Sequence, residues 1–344
     1  MCNIAGYVGE RRAAPILIEM LRRQEGLNAG FFTGIATLHE GKLHYRKLEG
    51  ELQYLLDHTD AADLPGNIGI IHGRTPGGGG DKWAHPFIGT RDGVDTTAMV
   101  VNGAAAYFKK NAEKYDAIAA RMLANGSSFP SRVTDSAETM RVLPDGSMVH
   151  ASDMLCQLTL SKMNEGEDEA TAMASAMTTA PSEIVSLMLS IPHEDRIFWS
   201  MISKPMMRGV APHGTYLATC AVAFPEDADH VMLLPYCHSG FVTAKGFTAT
   251  AFPQPSRIGA ITPTITANVY ARVLEMLTEG HKTLTELVIG NIECFGDCDT
   301  ALTAPLVYDI VYDLNKQGRL LWETERVTHK LNKMDAPCFY LSLK

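Results

Sequence analysis

The sequence lacks the long apolar segments of a membrane protein. In 344 residues, no apolar run approaches the ~20 residues that span a bilayer. A signal peptide is also missing, because Arg11-Arg12 and Arg22-Arg23 interrupt the first apolar stretch too early. Hydrophobic residues make up 46% of the chain and charged residues 20%, as in ordinary globular proteins. We therefore expect a cytoplasmic protein with no membrane partner.

Long basic blocks and a disulfide pattern are missing as well. The seven cysteines are odd in number and scattered, which is typical of reduced thiols rather than of a disulfide framework. The net charge is −9, so we expect no nucleic-acid partner. Cys294 and Cys298 lack a second ligand pair at a spacing typical of zinc sites. The sequence thus predicts no metal site and no cofactor.

The order of the predicted elements indicates an α+β protein. Strand-like runs occupy 4–8, 34–38, 42–45, 68–72 and 97–101, and a second group occupies 215–224, 230–234 and 240–247. A helix opens at Pro15, and residues 106–124 and 153–190 are predicted to be mainly helical. Strands, helices and strands in this order favour an α+β sandwich over a doubly wound parallel sheet.

A stretch with two prolines, 252–257, indicates a domain boundary. We assign residues 1–255 to one domain and 256–344 to a small C-terminal module. The predicted helices of this module are 266–278, 284–288 and 304–316, followed by a hairpin that begins at 318–323. This order is typical of a winged-helix-like module. Several aspartates surround the third helix, which favours protein contacts, including a homo-oligomer, over DNA.

Cys2 is the first candidate catalytic residue along the chain. A small second residue normally permits removal of Met1, which would leave a thiol and a free α-amine on one residue. The two groups have similar acidities in water, and a nucleophile activated by its own terminal amine is a known solution for acyl transfer. On position alone, the alternative is a small core residue near a terminus.

Arg74 and His85 flank a glycine-rich loop. Arg74 ends a predicted strand, and four glycines follow at 77–80. A guanidinium fork suits a carboxylate, and a mobile loop could fold over a substrate. The alternatives are a surface arginine, a flexible hairpin tip and a structural histidine.

Two polar segments follow farther along the chain. Asn102 and Gly103 come after a buried strand, where a side-chain amide and a backbone N–H can form an oxyanion hole; the alternative is a turn. Asp135 lies in a hydroxyl-rich segment at a predicted helix start. It could cap that helix or bind an ammonium group.

Taken in order, these segments resemble class II glutamine amidotransferases. The matching motifs are Met-Cys-x-Ile-x-Gly-Tyr-Val-Gly (1–9), Gly-Ile-Ala (34–36), His-x-Arg (72–74), Ala-His-Pro-Phe (84–87), Val-Val-Asn-Gly (100–103) and Thr-Asp-Ser (134–136). The glutaminase domain of glucosamine-6-phosphate synthase is the form they resemble most. The resemblance is specific over residues 1–140, becomes diffuse to about residue 250, and does not reach the C-terminal module.

The resemblance implies a fold and a reaction. The fold would be the four-layer αββα sandwich of N-terminal-nucleophile hydrolases. Cys2 would attack the side-chain amide of glutamine and form a thioester, and its α-amine would pass the proton to the leaving ammonia. Asn102 and Gly103 would stabilise the oxyanion.

The resemblance also implies how the substrate is held. Arg74 would bind its α-carboxylate, Asp135 its α-ammonium group, and His85 would shape the pocket. The chain shows no recognisable acceptor domain, so the ammonia would go to a partner protein. Two alternatives stay open: a hydrolase of another γ-glutamyl or small amide compound, and a catalytically silent glutamine-binding module.

Three positions depart from the family pattern. Asn3 replaces the glycine that normally follows the nucleophile, and Thr75 replaces an aromatic residue after the arginine. Gln24-Glu25-Gly26 matches the family's Tyr-Arg-Gly only loosely, with an acid in place of a base. We expect the departures to affect the lid and the coupling to an acceptor.

Overall fold

The computed structural model describes residues 2–27, 29–103, 112–136, 141–180, 184–253, 260–296, 302–330 and 333–344. The strands are β1 (Asn3–Gly9), β2 (Phe32–His39), β3 (Lys42–Glu49), β4 (Ile68–Arg74), β5 (Phe87–Arg91), β6 (Val94–Asn102), β7 (Arg141–Val142), β8 (Met148–Val149), β9 (Val185–Ser190), β10 (Arg196–Met201), β11 (Met207–Ala211), β12 (Gly214–Ala218), β13 (Asp229–Leu233), β14 (His238–Thr243), β15 (Thr250–Ala251), β16 (Lys282–Thr283), β17 (Leu320–Thr328) and β18 (Asp335–Leu343). The helices are α1 (Ala13–Arg22), α2 (Leu52–His58), α3 (Ala112–Ala124), α4 (Ala151–Asn164), α5 (Glu169–Thr179), α6 (Pro263–Glu279), α7 (Leu284–Gly290) and α8 (Thr303–Lys316).

Two antiparallel sheets form the centre of the molecule. One has the order β13-β11-β12-β1-β4-β2-β3, and the other has the order β15-β14-β10-β9-β6-β5. Apolar side chains from both sheets fill the space between them. Helices α1 and α2 cover the outer face of the first sheet, and α3, α4 and α5 cover that of the second. These four layers confirm the predicted αββα sandwich.

Strand β1 shows how the sequence specifies its place in these layers. Ile4 and Val8 face the space between the sheets, whereas Ala5 and Tyr7 face helix α1 and its neighbours. Because successive side chains point to opposite faces of a sheet, an apolar residue at every position produces a strand that is buried on both sides.

The helical prediction for 153–190 is wrong at its C-terminal end. The structure has helices α4 and α5 here, but 185–190 form the central strand β9. Val185, Leu187 and Leu189 face the other sheet, while Met188 faces the helices. A strand buried on both faces has no polar alternation, so periodicity alone cannot distinguish it from a buried helix.

The C-terminal part contains the three expected helices and the hairpin. Strands β16, β18 and β17 form a small sheet, and helices α6, α7 and α8 share an apolar core with it. The same core includes Leu27 and Cys220 from the sandwich. The winged-helix-like classification stays a prediction, and the proposed boundary at 255/256 lies outside the described residues. Within the described ranges, no helix is long and apolar enough to cross a membrane.

Candidate active site

Three strand ends meet at one end of the space between the sheets. Cys2 precedes β1, Arg74 is the last residue of the neighbouring β4, and Asn102 is the last residue of β6 in the opposite sheet. In register, Asn3 lies opposite Gly73, which places Cys2 beside the end of β4. Side chains alternate along a strand, so Arg74 and Asn102 share the faces of Ile70 and Val100, which pack between the sheets.

The side chain of Asn102 holds the backbone of Cys2. Its Nδ2 donates a hydrogen bond to the Cys2 carbonyl oxygen at 3.1 Å. Asn102 is fully buried, and its Oδ1 has no hydrogen-bond partner among the described residues. An uncompensated buried acceptor is costly, and an ammonium or amide group would satisfy it. Cys2 itself is half-buried, with its Sγ 4.0 Å from Thr75 Oγ1.

Asn3 anchors the start of the strand that follows Cys2. Its Nδ2 donates to the carbonyl oxygen of Gln24 and, at 3.4 Å, to that of Glu25. The Nε2 of Gln24 donates in return to the Ile4 carbonyl oxygen at 3.2 Å. The departure from glycine at position 3 therefore ties the start of β1 to the short helical turn Glu25–Leu27. The sequence showed the departure, but its effect depends on contacts 21 and 22 residues away.

Arg74 is enclosed by aromatic rings. Its side chain is buried, and its Cζ lies 4.7 Å from the ring centre of Phe32 and 5.9 Å from that of Trp83. Cation–π attraction at this depth orients the guanidinium group. The indole of Trp83 is fixed in turn, because its Nε1 donates to the Ser131 carbonyl oxygen at 2.8 Å.

Three buried histidines form a column next to Arg74. The rings of His72 and His85 stack with centres 3.8 Å apart, and His150 meets His85 edge-on at 5.4 Å. The carbonyl oxygen of Val101 can only accept, so the Nε2 of His72 donates to it at 3.1 Å. Burial lowers the pKa of His72 to about 3 and the pKa values of His85 and His150 well below 6.5.

The histidine column is therefore neutral near pH 7, and it packs rather than exchanging protons. In the part of the chain that the structure describes, no cluster of three histidine, cysteine or acidic side chains could hold a metal ion. His85, which was predicted to shape the pocket, belongs to this column. His150 had no signal in the sequence, because it reaches the column from the start of a distant helix.

Asp135 lies apart from the other predicted residues. It is exposed and lines a shallow depression with Lys82, Arg132 and Asp145. The helix predicted after it falls on 137–140, outside the described residues. Gly103 is half-buried directly after Asn102. The structure thus gathers Cys2, Arg74, His85, Asn102 and Gly103 and leaves Asp135 at the surface.

Comparisons with known proteins agree with the resemblance found in the sequence. No protein-family model matches the chain. Glutamine–fructose-6-phosphate aminotransferase (isomerizing) from Pyrococcus horikoshii is 39% identical over 105 residues, covering 29% of this chain and 16% of that protein. The protein of the same name from Bacteroides thetaiotaomicron is 26% identical over 239 residues, covering 68% of this chain and 34% of that protein. The chain thus spans about a third or less of the curated relatives it matches.

Solved structures extend the likeness to nearly the whole chain. Glutamine phosphoribosylpyrophosphate amidotransferase from B. subtilis superposes with a TM-score of 0.62 at 13% identity, covering 96% of this chain and 68% of that chain. A second structure, described as the allosteric regulatory enzyme of purine biosynthesis, gives a TM-score of 0.60 at 14% identity, covering 94% of this chain and 66% of that chain. The chain shares the four-layer fold of these two structures. Together with the sequence relatives, this confirms the resemblance to class II glutamine amidotransferases.

Proposed function

We propose that the chain is a glutamine amidotransferase whose half-reaction is the hydrolysis of glutamine at Cys2. The observation that carries the proposal is the hydrogen bond from Asn102 Nδ2 to the Cys2 carbonyl oxygen, since it joins the nucleophile and the oxyanion residue across the two sheets. The sequence relatives support the reaction class.

The proposed reaction starts with removal of Met1. The α-amine of Cys2 takes the thiol proton, the sulfur attacks the amide carbon of glutamine, and the C–N bond breaks as the proton passes to ammonia. Asn102 and the backbone N–H of Gly103 stabilise the oxyanion. Water then cleaves the thioester and releases glutamate.

We assign roles in substrate binding to the remaining predicted residues. Arg74 binds the α-carboxylate of the substrate, and His85 fixes the pocket wall. Asp135 binds the α-ammonium group. The ammonia goes to an acceptor on a partner protein, and the setting is the cytoplasm, where scattered thiols stay reduced. A homo-oligomer through the C-terminal module belongs to the same proposal.

A glutamine analogue tests this proposal directly. The purified chain is incubated with 6-diazo-5-oxo-norleucine, which alkylates such nucleophiles, and its intact mass is measured before and after. We expect loss of Met1 and a single adduct that disappears in Cys2→Ser. Cys294→Ser is the matched control, because Cys294 is a partly exposed thiol of the C-terminal part. An unprocessed Met1 without an adduct would favour the silent binding module.

A further inference from the structure

A cleft between the sandwich and the C-terminal hairpin opens beside the nucleophile. This hairpin cleft has a volume of about 270 Å³ and is lined by residues 26, 27, 29, 31, 75, 76, 283, 285, 327, 329 and 336–338. Thr75 lies between the cleft and Cys2. It lines the cleft, and its Oγ1 lies 4.0 Å from Cys2 Sγ.

The hairpin wall of the cleft is firmly seated on the sandwich. The guanidinium group of Arg326 forms two hydrogen bonds of 3.0 Å with the carboxylate of Glu51. Ala336 is buried in a small apolar cluster with Phe32, whose ring also packs on Arg74. At Gly26, an added Cβ would lie 2.3 Å from the ring of Phe339, so this ring packs directly on the backbone of the turn.

The lining of the cleft is uncharged and largely apolar. Its apolar lining residues include Leu27, Phe31, Pro76, Val327 and Pro337. None of the described residues that line it is a carboxylate, a lysine or an arginine. Such a surface favours an apolar group over an ion, because a charge loses its hydration there without compensation.

The cleft is far larger than ammonia requires. A water-sized molecule needs about 10–15 Å³ of such volume together with polar partners, whereas the cleft has about 270 Å³. A ring-sized amine fits this space better. Thr75, the residue that replaces the family's aromatic side chain, lines the cleft with a short side chain next to Cys2.

We propose that the hairpin cleft binds the amine part of N-substituted γ-glutamyl amides, and this inference rests on the proposed function. The sulfur of Cys2 forms the thioester as the amide C–N bond breaks, and the thiol proton passes to the departing amine. The amine leaves along the cleft. Water then cleaves the C–S bond and releases glutamate, which restores the thiol.

The test compares γ-glutamyl-benzylamide, γ-glutamyl-methylamide and glutamine as substrates, with glutamate release as the readout. Val327→Trp fills the cleft from a position that is 38% exposed, so it leaves the core intact. Leu321→Trp is the matched control, because it is 45% exposed on the same strand and does not line the cleft.

The benzylamide is expected to exceed the methylamide in kcat/KM by about tenfold or more, the scale of apolar pocket discrimination. Val327→Trp should remove that advantage and leave glutamine within about twofold, and Leu321→Trp should change neither. Hydrolysis of glutamine without preference for the benzylamide, or an equal loss for all substrates in Val327→Trp, would overturn the inference alone. Failure of every γ-glutamyl compound and of the diazo analogue to modify Cys2 would overturn the proposed function and this inference together.

Discussion

Replacing Glu25 by glutamine should stabilise the protein at neutral and alkaline pH. Glu25 is 7% exposed and accepts a hydrogen bond from the backbone N–H of Leu52 at 2.6 Å. Burial raises its pKa from 4.5 to about 7, helped by the nearby Glu51 and opposed by the Leu52 N–H, Arg22 and Arg326. Glutamine keeps the accepting oxygen and the shape of the side chain but never ionises.

The size and sign of the effect follow from linkage. In the unfolded chain the carboxyl ionises near its ordinary pKa of 4.5, whereas in the folded chain it ionises near 7. The folded state therefore binds the proton more tightly, and the stability present below pH 4.5 is lost as the pH rises through about 7. At about 1.36 kcal/mol per pKa unit, the loss amounts to about 3 kcal/mol.

Urea unfolding of wild type and Glu25→Gln from pH 5 to pH 8 measures this. The free energy of unfolding of the variant minus that of wild type should rise by up to about 3 kcal/mol across this interval and level off above it. Glu40→Gln is the control, since the Glu40 side chain is 85% exposed, and it should give a flat difference. If the difference in unfolding free energy for Glu25→Gln does not change with pH, the pKa of Glu25 is not raised by burial.

Three further predictions concern the site and its supports. Asn102→Ala should lower kcat for glutamine hydrolysis by about 10²–10³-fold, as loss of an oxyanion donor does; unchanged glutamate release would contradict the role. Gly26→Ala should cost about 1–3 kcal/mol in urea unfolding, because its Cβ would lie 2.3 Å from Phe339, whereas Gly246→Ala, with nothing within 4 Å, should be nearly neutral. The neutral His72 should make stability fall as the pH drops below 6.5 towards about 3, so His72→Gln should flatten that loss; an unchanged acid profile would count against it.

The strands that carry the site could be predicted because their information is local. The predicted strands 68–72 and 97–101 end within two residues of the ends of β4 and β6. The order of the motifs indicated the four-layer fold. Strand β9 was missed because a strand buried on both faces has no alternation. The partners of Asn3 and the histidine column could not be predicted, since each joins residues far apart in the chain through packing that no local pattern encodes. Asp135 was predicted from its motif to bind the substrate, but its side chain is exposed and lines a surface depression.

The position of the C-terminal hairpin changes where specificity should be sought. The motif resemblance is specific only to about residue 140, yet the cleft beside Thr75 is also lined by residues 327, 329 and 336–338. A nucleophile and its oxyanion donor determine which bond is broken. The leaving group is selected by the protein surface that it contacts beyond that bond. In this chain that surface belongs to the hairpin held by the Arg326–Glu51 pair. The apolar contacts of Ala336 and of Phe339 with Gly26 hold the same wall against the sandwich. Changes at those two contacts should therefore alter substrate preference before they alter the chemistry at Cys2.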